Sequence, residues 1–171
     1  MLTSLMPMAT NSLTVVALAV RAGWLGFAVV EHRRRLVDWG MVFYRSTSMA
    51  KVGAAKRRVR SLIASFAPSL IAAEISEVAA SRDAPASRTL VRFIRTEAHA
   101  KSIPFRSMSR ESVRSAFSEF NARSKDEIAA VLAGLYPELR WKLPPRRRTW
   151  EKEHYRIALF DAIAVGIACT K

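Results

Sequence analysis

The sequence predicts an α/β domain: one mixed five-stranded sheet, made of a three-strand antiparallel meander and further parallel strands, flanked by helices. Three observations carry this. Residues 12–45 hold three apolar runs broken only by short polar segments, the spacing of a meander. From residue 52 onward, helical and strand-like patterns alternate, which extends a sheet through strand–helix–strand units. The chain closes on a long, strongly apolar stretch, residues 155–170, suited to a buried helix. Its 171 residues suffice for one domain with a real core.

The elements follow in order. MLTSLMPMATNS, residues 1–12, reads as a loose tail ahead of a single domain over 13–171. It has no positively charged start, and no Arg precedes Arg21, so neither a secretory signal nor a mitochondrial presequence is expected. SLTVVALAV is a β-branched run suited to a strand buried on both faces, RAG a turn, and WLGFAVVE the second strand. Residues 13–30 only just reach the length of a bilayer span, and Arg21 in their middle would cost a few kcal/mol there. Two strands are therefore expected, and no membrane span. HRRR turns the chain into LVDWGMVFYR, the third strand.

Val52, Ala55, Val59, Leu62, Ile63 and Phe66 share one helix face, with Lys51, Lys56, Arg57, Arg58 and Arg60 on the other. SLIAAEISEV reads as a buried strand, SRDAPAS as a loop, SRTLVRFIRTEAHAK as a helix and IPFRSM as a short strand. Ser109 is placed to cap the next helix, and Ser124 with Glu127 to form a capping box on the one after it. RWKLPPRRRTWEKEH is a basic, proline-rich loop before the final helix.

Two carboxylates interrupt apolar elements. Glu74 lies in SLIAAEI, and Asp161 shares a helix face with Ile157, Ala164, Val165 and Ala168. A buried carboxylate requires a cation, a proton or a hydrogen-bond donor. A salt bridge to Arg156 or Arg92 would satisfy either one singly. Both together, in one sheet-and-helix plan, favour a shared divalent-metal site, because hard cations take oxygen ligands from separate elements.

Four segments resemble the RuvC-like Holliday junction resolvases, nucleases of the ribonuclease H-like superfamily. VVALAVRAGWLGFAVVE followed by LVDWGMV is similar to the opening hairpin, in which a buried strand ends in Asp and Gly-aromatic-Ala-Val starts the next. APSLIAAEISEV resembles the strand bearing the second acid, here Glu74. SVRSAFSEFNARSKDEI resembles a basic segment with two lysines eleven residues apart, positions held here by Arg114 and Lys125. LFDAIAVGIA is similar to the closing helix, whose last acid is here Asp161.

The resemblance implies a ribonuclease H-like fold and a homodimer that cleaves branched DNA in recombination and repair. It also implies two magnesium ions, or manganese, held by acids on the first strand, the fourth strand and the last helix. Glu74 and Asp161 keep two of those acids. The first-strand Asp falls on Ala19, and a further acid one turn before the last falls on Ala158. Neither Glu31 nor Asp38 can substitute, since strand register holds them roughly 10–20 Å away at about 3.3 Å per residue. The expectation is therefore a degenerate site, with metal binding weak or absent and nuclease activity lost or impaired. An active enzyme working through Glu74 and Asp161, and a basic scaffold for a protein partner or membrane surface, are the other two readings.

Charge points to a polyanion. Lys and Arg number 28 against 14 Asp and Glu, a net charge of +14. Arg33, Arg34 and Arg35, then Lys56, Arg57, Arg58 and Arg60, then Arg146, Arg147 and Arg148 form three clusters. With Arg114 and Lys125 they are the candidate DNA contacts, mostly to phosphate. Trp141 and Trp150 flank the last cluster and are expected to pack its loop onto the core. The single cysteine, Cys169, excludes an internal disulfide and a cysteine zinc site, in keeping with a cytoplasmic setting.

Overall fold

A computed structural model of the chain describes residues 12–44 and 52–171, so the expected tail, apart from its last residue, and Lys51 lie outside the described residues. Strands β1 (Thr14–Arg21), β2 (Trp24–Glu31) and β3 (Arg35–Phe43) form the meander. Helix α1 (Gly53–Phe66), strand β4 (Leu70–Ile75), helices α2 (Glu77–Ala80) and α3 (Pro85–Ala100), and strand β5 (Phe105–Ser107) follow. Helices α4 (Arg110–Ala116), α5 (Lys125–Leu135) and α6 (Ile157–Cys169) complete the chain. The sheet order is β3-β2-β1-β4-β5. β1 is antiparallel to β2 and parallel to β4, and β5 is parallel to β4.

β1 is central because both of its faces are apolar, and Val15 through Val20 are fully buried. Alternation splits them: Val15, Ala17 and Ala19 face α4, α5 and α6, whereas Val16, Leu18 and Val20 face α1 and α3. Small residues on the first face let α6 lie close against the sheet. A Cβ at Gly26 would stand 1.9 Å from the carbonyl oxygen of Ala158, so only glycine admits the helix backbone there. The β1–β2 turn uses Gly23 at a φ of +90°, a conformation that glycine adopts without steric cost.

Several boundaries differ from those the sequence predicts. β4 stops at Ile75, because the Ser76 side chain accepts a hydrogen bond from the Ala79 amide and caps α2. α3 starts at Pro85, two residues earlier than expected, since proline tolerates the first helical turn. The basic loop begins later, Pro137–Lys142 forming a 3-10 helix. The Ser109 cap and the Ser124–Glu127 capping box form as expected. Residues 13–30 form no helix, and among the described residues no helix is long and apolar enough to cross a membrane.

Trp141 and Trp150 do not pack onto the core. They are 67% and 76% exposed. Lys142 lies over the Trp141 ring and Arg148 over that of Trp150, 4.1 and 5.6 Å from the centroids. Cation–π contact takes the place of burial.

Candidate functional site

Strand register brings the site together. Ala19 pairs with Gly26 on one side and with Glu74 on the other. Gly26 carries the backbone of Ala158, and Asp161 follows one helical turn later. Arg21, two residues beyond Ala19, projects from the same face of β1.

The Arg21 guanidinium lies between the two carboxylates. Its Nη2 donates to Glu74 Oε1 at 2.9 Å and to Asp161 Oδ2. Arg110 Nη1 lies 3.3 Å from Asp161 Oδ1 and 3.8 Å from Glu74 Oε2. Lys125 Nζ sits 3.4 Å from Asp161 Oδ2 and donates to Glu153 Oε1 at 2.8 Å. Glu74 and Asp161 are only 6% and 3% exposed. Charges so deeply placed persist because each faces an opposite charge. Burial on its own would lower the Arg21 pKa, but attraction from Asp161 and then Glu74 outweighs it and holds the pKa above the ordinary value. The Tyr44 hydroxyl, buried and shared with Ser87 Oγ, donates to the Arg21 carbonyl and fixes the backbone beneath this side chain.

The cation partners differ from those expected. Arg156 turns to the Tyr155 hydroxyl, and Arg92 belongs to α3 on the opposite face of the sheet. Arg21 and Arg110 take their place. Arg21 is legible in the sequence as the lone charge within an apolar run. Arg114 is exposed, one turn beyond Arg110, and contacts neither carboxylate. Arg110, the first residue of α4 directly after the Ser109 cap, takes that position.

The basic clusters do not converge. Arg146, Arg147 and Arg148 line a cavity of about 540 Å³ with Ser124, Asp126 and Glu127 at the start of α5. Arg33, Arg34 and Arg35 turn at the far end of β2, roughly 15–20 Å from Ala19 at about 3.3 Å per residue. Lys56, Arg57, Arg58 and Arg60 lie on α1, across the sheet from the carboxylates. Lys56 and Arg60 cover the Phe93 ring, and Arg58 covers that of Phe27.

The donor set does not fit a divalent metal. Ala19 offers no ligand, and the described residues hold no group of three or more His, Cys, Asp or Glu side chains that could bind one. Buried Glu74 Oε2 lacks a hydrogen-bond partner and is the one carboxylate oxygen here left over for another ligand. Yet three cations already face two acids. A metal ion would have to displace Arg21 and stand against Arg110 and Lys125.

No family model matches the chain, and no curated protein matches it. Solved structures do. The Thermus thermophilus RuvC structure aligns at a TM-score of 0.65 and 19% identity, covering 91% of this chain and 92% of that one. T. thermophilus RuvC in complex with a Holliday junction substrate aligns at 0.63 and 16%, covering 91% of each. The yeast mitochondrial Holliday junction resolvase Ydc2 aligns at 0.61 and 12%, covering 90% of this chain and 76% of that one. The chain has the RuvC-like, ribonuclease H-like fold.

Proposed function

We propose that the chain is a structure-selective DNA-binding protein of the Holliday junction resolvase type, a cytoplasmic homodimer that binds branched DNA and does not cleave it. One observation carries the loss of cleavage: the Arg21 guanidinium stands between Glu74 and Asp161 where the resemblance calls for metal. A fixed monocation can neutralise the acids, but it can neither generate hydroxide nor stabilise a leaving oxygen as a metal does. Three features support the binding half. The fold is shared with a RuvC solved on a Holliday junction. The net charge is +14. Arg146, Arg147 and Arg148 are exposed at the start of α5, where they outnumber Asp126 and Glu127 around one cavity.

The test is a comparison of a four-way junction with linear duplex of the same length, with and without Mg²⁺ or Mn²⁺. Junction-selective binding with no product in either metal is expected. Metal-dependent cleavage that disappears in Asp161→Asn overturns the loss of activity. Weak binding without branch preference overturns the DNA reading and favours the scaffold.

A further inference from the structure

β1 and β3 end, and β2 begins, side by side at the rim that carries the ion network. Register sets Arg21 opposite Trp24, and Trp24 opposite Phe43. All three side chains leave on the α6 face, because Arg21 is two residues from Ala19, Trp24 two from Gly26, and Phe43 two from Met41. The rim therefore presents ring, ring, guanidinium. The Trp24 and Phe43 rings lie 5.0 Å apart at 55°. The residues leading into α6 add two more rings. Tyr155 stacks on Trp24 at 4.8 Å and 23°, and His154 on Tyr155 at 4.5 Å and 27°. The Arg156 guanidinium stands 5.7 Å from the Tyr155 centroid.

This row is not core. None of its four rings belongs to either buried cluster, and Phe43 and Tyr155 are 58% and 43% exposed. Beside it, the side chains of Arg110 and Lys125 each keep a quarter of their surface open. Exposed rings next to partly open cations match the two chemical faces of a nucleotide, a π surface and a phosphate. A linear duplex keeps its bases stacked and offers the rim only phosphates. An unpaired base at a branch offers both.

We propose that Phe43, backed by Trp24 and Tyr155, forms a stacking platform for an unpaired DNA base whose phosphate lies against Arg110 and Lys125. This rests on the DNA-binding reading above and adds to it the place of the base and a source of branch selectivity. The platform needs no metal and stays usable with Arg21 in place.

The experiment uses a four-way junction with two unpaired nucleotides at the branch, one of them 2-aminopurine, beside a fully paired duplex. Phe43→Ala and Tyr155→Ala should weaken junction binding on the order of tenfold, the scale of one base–aromatic stack. Duplex affinity should hold, Phe43→Tyr should restore binding, and 2-aminopurine should be quenched by the parent but not by Phe43→Ala. Urea unfolding confirms that the variants fold. If the parent binds the junction while both alanine variants bind equally well and quench equally, the platform is wrong and the DNA reading stands. Equal losses on junction and duplex also overturn stacking. If the parent binds neither DNA at low salt, both readings fall together.

Discussion

Arg21 Nη2 and Glu74 Oε1 are 2.9 Å apart, and the same nitrogen also donates to Asp161, so one side chain at the end of β1 closes the space between β4 and α6. The two buried acids are thereby neutralised by an internal ion pair as the chain folds. Stability should therefore depend on Arg21 and not on divalent ions.

Arg21→Met keeps much of the side-chain bulk and removes the charge. Breaking a buried pair costs about 3–5 kcal/mol when one charge is left alone. Arg110 and Lys125 still face the acids, so a loss near the lower end, about 3 kcal/mol, is expected in urea unfolding. A loss below about 1 kcal/mol, the range of an exposed pair, would show that those two cations suffice.

Tyr44 reports on the same corner through pH. Burial raises its phenol pKa, partly offset by the hydrogen bond with Ser87. The folded state thus favours neutral tyrosine, and an unfolded phenol ionises near pH 10. The stabilisation is complete below about pH 10 and is lost as pH rises through the higher folded value. Tyr44→Phe should cost about 1 kcal/mol at pH 7, the worth of a hydrogen bond, and soften the alkaline loss. Tyr136 and Cys169, also raised by burial, keep part of that slope. An unchanged alkaline slope would show that Tyr44 does not contribute to it.

Gly26 tests the placement of Asp161. Any Cβ there meets backbone, the Ala158 carbonyl, and cannot be relieved by a rotamer change. Gly26→Ala should lift the start of α6, at a cost of about 3 kcal/mol or more. It should also weaken the coupling between Arg21 and Asp161 in a double-mutant cycle. Normal stability with full coupling would mean that α6 settles without moving Asp161.

The sequence carried the sheet well, because each of its signals is local. The β-branched run in β1 marks a strand buried on both faces, the Gly23 turn fixes the hairpin register, and the Ser124–Glu127 box starts α5. The hairpin pattern placed Ala19 near Leu25 or Gly26, whereas Glu74 came to its side only through the family resemblance. The ion network was harder to read, since it is set by long-range geometry. Arg21 was visible only as a charge unsuited to a membrane, and nothing local showed that it would turn toward acids on β4 and α6. Arg110 and Arg114 differ by one turn, and only the docking of α4 decides which of them faces inward. The exposure of Trp141 and Trp150 was equally hidden, because an apolar ring in a loop signals burial until a neighbouring cation offers another contact.

The basic clusters should contribute unequally to DNA binding. Arg146, Arg147 and Arg148 lie by the start of α5, on the carboxylate side, whereas Arg57, Arg58 and Arg60 lie across the sheet. Reversing the first three to Glu should weaken binding strongly and flatten the salt dependence, by about 0.9 in log–log slope for each duplex phosphate no longer neutralised. Reversing the α1 trio should have the smaller effect. The opposite ranking would place DNA on the α1 face and separate binding from the carboxylate centre.

A metal site should be restorable only when Arg21 is removed. Ala19→Asp alone places a third carboxylate next to Arg21, Arg110 and Lys125, three acids against three cations, so it should gain no response to Mg²⁺ or Mn²⁺. The pair Ala19→Asp and Arg21→Ala removes the intervening guanidinium and supplies the missing oxygen ligand on a rigid central strand. Without metal, that double variant should be the least stable of the set, because three acids then crowd one buried site. With metal, binding to the folded state alone should return about 2.7 kcal/mol at a hundredfold excess over Kd. That corresponds to several degrees of melting temperature for a chain of this size, at about 2–4 °C per kcal/mol. Melting the parent, both single variants and the double variant with and without Mn²⁺ checks this. A metal response in Ala19→Asp alone would show that Arg21 yields its place readily. No response in the double variant would show that Arg110 and Lys125 are enough to keep metal out.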